Sequence, residues 1–350
     1  MAKTSYGVNH PLAVKKWSRN LMVESLKETY ALRFMGSGAN ALCQIKNEVH
    51  EVGDKVTYGL RMQLAGSGVS GDDTLEGQEE GLVLYNDSLT VNQLRHAVRS
   101  AGKMSEQRVP FSVRAEARDG LADWWADKID TAFFNQLAGY DPSDVRLSGL
   151  NSVTSPSTNR KIIYDQNGTT HSTEASLDAS DTFNLQLIDW AVEKAETATP
   201  LIRPVRYMGE RYYCMFLHPF QVTSLRTNTN TGQWQDIQKA AMQGGQVSKN
   251  PIFTGALGVY NNVILHKSTR VPTPSSNVYR AVFAGAQSAG IAFGRETTNA
   301  NTFSWAEELF DYGNQLGVAA GAIWGLKKCI FNSEDYGTIV VSTYGAAKTS

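Results

Sequence analysis

A chain of 350 residues with 33 Lys+Arg against 34 Asp+Glu has a formal net charge of −1, and 19% of its residues are charged. That balance excludes a protein that coats nucleic acid through a global basic field. A 41% share of hydrophobic residues excludes a chain that is disordered throughout, and the length suggests about two domains.

Residues 11–35 are predicted to form an amphipathic helix, with Val14, Trp17 and Leu21 at helical spacing and Gly36 and Gly38 at its end. Over 50–65, Val52, Val56, Tyr58, Leu60 and Met62 bring in a strand-like alternation. A glycine-rich run, 66–71, and the acids Asp72, Asp73, Glu76, Glu79 and Glu80 follow, before a return strand at 82–91. The whole of 50–91 reads as a long hairpin with an acidic tip. Leu94, Ala97, Val98 and Ala101 predict a first helical segment. Residues 111–138 predict a long helix carrying Leu121, Trp125, Ile129, Ala132 and Phe133 on one face. Residues 143–180, rich in Ser, Thr, Asn and Asp, read as loop with a short strand-like KIIY at 161–164.

Asp181 is expected to cap a helix over 182–198. The aromatic run 211–217 reads as a strand that ends at His218-Pro219, where another helix begins. A short helix is expected at 234–242 and a strand at 259–265. The last quarter reads as strand 279–284, glycine-rich 285–294, an acidic helical stretch at 303–312, small-residue-rich 313–326 and strand 337–344. Irregular interleaving of strands and helices argues for an α+β fold.

Enzyme chemistry finds no support. Gly66-x-Gly-x-x-Gly71 matches a dinucleotide fingerprint in letters, but carboxylates follow it where a helix N-terminus should receive the phosphates. His50-Glu51 lacks the second histidine of a zinc-protease motif, and the six histidines are scattered. No cofactor or metal is expected. Cys43, Cys214 and Cys329 lie far apart, so reduced, buried thiols are expected rather than a disulfide framework. The N-terminal residues have no apolar signal-peptide core, and the run Gly317–Leu326 is shorter than the roughly 20 residues of a membrane span. A soluble protein made in a cytoplasm is therefore expected.

One charge pattern stands out. The acidic tip has no base, whereas 95–118 carries Arg95, Arg99, Lys103, Arg108, Arg114 and Arg118 against Glu106 and Glu116. Two readings remain open: two separately solvated faces, or an acidic tip on one subunit meeting a basic helix on another, which would fix register and partner choice.

The order of arm, acidic-tipped hairpin, long helix and mixed body resembles the major capsid proteins of tailed bacteriophages, the Hong Kong ninety-seven type of fold. The segments GDDTLEGQEEGL (71–82), RHAVRSAGKMSEQR (95–108), LADWWADKIDTAFFNQLAG (121–139), FLHPFQVTSLR (216–226), NPIFTGALGVYNNVILH (250–266) and DYGNQLGVAAGAIWGLKKCIFNSEDYGTIVV (311–341) are similar to those of N-four-like podoviruses.

The resemblance implies an N-terminal arm at 1–49, an E-loop hairpin at 50–91 and a spine helix region at 92–139. It implies a peripheral P-domain at 140–202, an axial A-domain at 203–300 and a return to the P-domain at 301–350. It also implies self-assembly into hexamers and pentamers of an icosahedral head around double-stranded DNA, put together in a host bacterial cytoplasm. DNA would be contacted weakly and without sequence specificity. Portal, scaffolding and decoration proteins would be partners; too few residues precede the hairpin for a fused scaffolding domain, so a separate scaffold is expected. Some relatives cross-link through Lys and Asn; nothing around Lys55 or Asn332 marks an activated pair, so no cross-link is expected. An encapsulin-like compartment shell shares the fold and is the alternative.

Overall fold

The computed structural model describes residues 29–46, 53–110, 112–163, 173–207, 209–228, 256–294 and 303–347. The expected helix at 234–242 and all but the end of the one at 11–35 lie outside these residues. In chain order the strands and helices are β1 (Met35–Gly36), β2 (Cys43–Ile45), β3 (Lys55–Arg61), β4 (Leu84–Thr90), β5 (Asn92–Arg99), α1 (Lys103–Gln107), α2 (Val113–Ala138), β6 (Lys161–Ile163), α3 (Gln186–Thr197), β7 (Val205–Tyr207), β8 (Glu210–Leu217) and α4 (Pro219–Thr227). They continue as β9 (Ala256–Tyr260), β10 (Val263–Lys267), β11 (Val278–Ala284), β12 (Ala289–Phe293), β13 (Phe303–Phe310), β14 (Gln315–Lys328), β15 (Ile330–Phe331), β16 (Glu334–Asp335) and β17 (Thr338–Tyr344).

Two sheets hold the body. One runs β1-β2-β12-β14-β13, with β5 also paired to β14; the other runs β6-β17-β11-β8-β10-β9, with β7 on β8. The long helix α2 packs against both. Its Trp125 meets Phe303 and Trp324 of the first sheet edge-on, at 4.9 and 6.3 Å between ring centroids. Further along, Phe133 and Phe134 meet Phe216 of the second sheet at 6.0 and 5.4 Å. The end of the helix is enclosed: residues 132–139 are all buried, Asn135 and Gln136 among them.

The run over β8 is continuously apolar for a related reason. Cys214 and Phe216 join the core around α2, while Tyr213, Met215 and Leu217 join a second core with Leu187, Ile188, Ala191 and Val192 of α3. A strand covered on both faces loses the polar half of its alternation.

Caps delimit the long helix. The Ser112 hydroxyl accepts from Ala115 N–H, and Gly139 closes the end at φ 61°, with Tyr140 N–H bonding back to Asn135 O at 3.0 Å. A Cβ at Gly139 would lie 2.6 Å from Pro156 Cδ and 2.8 Å from Thr154 O, so glycine is needed for space as well as for conformation.

Several elements differ from the sequence expectation. Residues 92–99 form strand β5, not the first helical segment, because a full ladder with Asn92–Arg99 against Gly317–Trp324 outweighs the local helical spacing. Residues 303–310 form strand β13, not an acidic helix. There Phe303, Trp305 and Glu307 are buried in alternation; Glu307 disguises the period, and its burial is met by Arg114 at 2.6 Å and Trp305 Nε1 at 2.8 Å.

The 259–265 run is two strands, joined at Asn261-Asn262 with φ of 45° and 59°, a two-residue turn that asparagine tolerates. The helix expected from 182 begins at Gln186 with no side-chain cap at Leu185. Asp181 is instead buried and accepts from Asp178 N–H at 2.9 Å. Residues 30–34 form a short 3-10 turn rather than the end of a long α-helix.

The three cysteines are buried and free; burial pushes the Cys214 and Cys329 thiols up to about 12. No helix among the described residues is long and apolar enough to cross a membrane.

Two buried polar features constrain stability. Lys328 and Asp335, each about 1% exposed, pair at 2.7 Å, and Lys328 Nζ also donates to Thr154 O at 3.1 Å. Burial pushes Lys328 down and Asp335 up, against their mutual attraction. Removing one partner strands a charge, so Lys328→Met is expected to cost roughly 3–5 kcal/mol, most of it recovered in Lys328→Met/Asp335→Leu. Urea unfolding of unassembled subunits checks this; a single variant as stable as the parent would refute it.

His266 is fully buried between Phe34 and Phe216, with neither ring nitrogen hydrogen-bonded among the described residues. Burial, and secondarily Arg33, lowers its pKa to about 4. The fold therefore holds the neutral ring, so its stabilising effect is complete above the unfolded pKa of about 6.5 and is lost as pH falls towards 4, by about 3 kcal/mol. His266→Leu is expected to flatten this part of the acid limb in pH-dependent melting; an unchanged limb assigns the loss to other groups.

Candidate intersubunit surfaces

The hairpin has an anchored base and an unpacked end. Strands β3 and β4 pair in full register from Lys55↔Thr90 to Arg61↔Leu84. At the base, Val56, Leu89 and Val91 pack with Ala292, while Tyr58, Leu60 and Tyr85 pack on Cys329, Phe331 and Tyr336. Asp87 gathers the polar anchors. It accepts from Tyr58 Oη at 3.0 Å and Ile330 N–H at 3.1 Å, and pairs with Lys327, which also donates to Ser88 O at 3.0 Å.

Asn151 grips the backbone of Thr90 at both ends. It accepts from the Thr90 N–H at 3.0 Å and donates to the Thr90 carbonyl at 2.8 Å. Opposite, Gly325 lets β14 approach so closely that a Cβ there would lie 2.1 Å from Thr90 O. The base of the hairpin is therefore held by its own subunit.

Residues 62–83 form no strand, and Leu64, Leu75, Leu82 and Leu84 are 54–68% exposed. The five acids are all exposed, but they are not equivalent. Glu80 folds back and accepts from the N–H groups of Ala65 and Gly66, at 2.8 and 2.7 Å; these two bonds hold its carboxyl below its usual range. Glu79 accepts from Gly77 N–H at 2.7 Å. Asp72, Asp73 and Glu76 make no such contact among the described residues. The glycine-rich fingerprint letters at 66–71 thus sit in an exposed loop around a carboxylate, with no helix following.

The arginines do not form one basic helix. Arg95 and Arg99 project from the exposed face of β5, and the Arg99 guanidinium lies 4.2 Å from the Phe310 ring centre. Arg108 follows α1, exposed. Arg114 and Arg118 are on α2, and both have acids of their own: Glu307 at 2.6 Å and Asp119 at 2.6 Å. The Trp124-Trp125 pair divides as its helical position implies. Trp125 is core, while Trp124 stacks on His96 of β5 at 4.5 Å.

Sequence reasoning missed the exposed leucines of the hairpin, although Leu75 and Leu82 stood within the quoted acidic segment. Charge drew attention there, and an exposed leucine has no signature in sequence. No group of three or more His, Cys, Asp or Glu able to hold a metal occurs among the described residues.

A sequence model of phage capsid proteins matches residues 5–347. The chain is 28% identical to the major capsid protein of Pseudomonas phage KPP25, over 95% of this chain and 94% of that protein. The capsid structure of Ralstonia phage GP4 superposes with a TM-score of 0.77 at 32% identity, covering 100% of both chains. The cyanophage Pam1 capsid shares the fold, with a TM-score of 0.73 at 17% identity over 99% of this chain and 95% of that one. The body of two sheets around a long helix, with a projecting hairpin, is thus the tailed-phage capsid fold of the Hong Kong ninety-seven type. With a match spanning nearly its whole length, the chain belongs to the phage capsid protein family, as a major capsid protein that builds the shell of the virion and not as an enzyme.

Proposed function

We propose that the subunit assembles as hexamers and pentamers into an icosahedral head enclosing double-stranded DNA, each copy laying its hairpin over a neighbour. The observation that carries this reading is the contrast within the hairpin: the base is tied into its own core, while Leu75, Leu82 and Leu84 at the far end touch little of their own chain. Burying each such leucine contributes about 1.5–3 kcal/mol, which suits a contact that must be modest and repeated. Charge then fixes register. Asp72, Asp73 and Glu76 are the acids available to a neighbour. Arg95, Arg99 and Arg108 are exposed basic side chains open to a neighbour, and Arg114 and Arg118 are less so because they are paired internally.

The arm at 1–49, hairpin at 50–91, spine region at 92–139 and peripheral segment at 140–202 belong to this reading. The strand pairings support two shifts from the limits expected by resemblance. Strand β12 pairs with β14, which groups 289–293 with the β13–β14 sheet, read here as peripheral. Strand β17 pairs with β11 and β6, which groups 338–344 and 161–163 with the axial sheet. A portal, a separate scaffolding protein and a decoration protein belong to the same proposal.

Reversing Asp72, Asp73 and Glu76 together to lysine, or changing Leu75, Leu82 and Leu84 to serine, is expected to cut the yield of shells seen by electron microscopy while leaving the melting of the free subunit unchanged. Normal yields from both variants would sink the docking role. Reversal at Glu79 and Glu80 also removes the tip's own backbone contacts and is a less clean test. With its charges nearly cancelled, the subunit is expected to contact DNA weakly and without sequence specificity. Tight, salt-sensitive binding of a duplex by free subunits would contradict that part.

A further inference from the structure

A half-open cleft of about 720 Å³ lies between the end of α3, the segment 201–206, β8 and the Asn261-Asn262 turn. Three arginines line it: Arg203, Arg206 and Arg211. The β7–β8 register sets Arg206 directly opposite Arg211, an arrangement of like charges that disfavours the pairing. Neither guanidinium has an ion pair or hydrogen bond within the described residues, and Arg203 donates to the neutral Gln287 Oε1 at 3.2 Å. Glu196 is the one carboxylate among the described residues of the lining. Leu201, 59% exposed, stands at the same place. The fold thus keeps three cations together with one acid among them and an uncovered apolar side chain beside them.

The hairpin tip offers the complementary set: Asp72, Asp73 and Glu76, without partners among the described residues, and Leu75, 60% exposed, between them. The geometry points to this cleft as the seat of the tip from a second copy, with the three carboxylates facing the three guanidiniums and Leu75 against Leu201. This inference rests on the proposal that the hairpin reaches a neighbour, and it names the surface that receives it.

Charge exchange in the full chain tests it. Asp72→Arg/Asp73→Arg/Glu76→Arg and Arg203→Glu/Arg206→Glu/Arg211→Glu are each expected to lower shell yield about tenfold, and the six changes combined to restore most of it. If Arg95→Glu/Arg99→Glu/Arg108→Glu rescues the reversed tip instead, the cleft is not the seat, though docking by opposite charge stands. If the reversed tip assembles normally, the docking proposal falls and this inference with it. If neither basic surface rescues, the cleft assignment is likewise overturned. A measurement independent of tolerance to charge reversal is cross-linking in assembled shells. Glu76→Cys with Arg206→Cys is expected to give covalent oligomers on oxidation, and Glu76→Cys with Arg99→Cys to give none; the reverse result overturns the assignment.

Discussion

Everything in this subunit depends on burying one helix from two sides. A 26-residue helix is about 39 Å long, and α2 spends that length between two sheets. Its first half presents Leu121, Trp125 and Ile129 to the sheet built on β14, and its second half presents Phe133, Phe134 and Leu137 to a core shared with β8 and Phe34. Neither sheet could cover its inner face without it. The N-terminal segment is tied to the same helix. Buried Asp130 accepts from the N–H groups of Tyr30 and Ala31 at 2.9 and 2.8 Å, and burial pushes its carboxyl up while these bonds and Arg270 pull it back.

The buried polar side chains of α2 carry that order outward. Asn135 donates to Leu147 O, and Gln136 donates to Ser148 O and Asn151 O. These bonds fix the 147–151 loop, whose Asn151 then holds Thr90 at the root of the hairpin. Packing on the helix thereby sets where a distant surface element starts. The tip needs no such chain of support, since Glu80 organises it locally against Ala65 and Gly66.

Much of this was legible in the residues. The long helix, the two hairpin strands and the strand before His218 follow from periodicity, and the His218–Gln221 capping box explains why a helix begins at Pro219. The failures share a physical cause. Strand β5 was hidden because its partner is more than two hundred residues away, and a ladder of that kind leaves no local mark. Strand β13 was hidden because buried Glu307 looks like a surface residue until Arg114 is known to sit beside it. The acidic tip was found by composition, but sequence could not tell that Glu79 and Glu80 serve the loop itself. Nor could it tell that Arg206 and Arg211 are cross-strand neighbours, because that depends on the register of a short hairpin.

The clamped root of the hairpin also sets an angular tolerance. A seven-residue ribbon is about 23 Å long, so a tilt of about 5° at its root displaces its far end by roughly 2 Å, close to the width of an ion-pair contact. If the hairpin lies over a neighbour as proposed, any looseness at Thr90 or Asp87 would be magnified there, copy after copy around the shell. On that reading, the rigidity of a few hydrogen bonds inside one subunit becomes a determinant of how uniformly the shell curves.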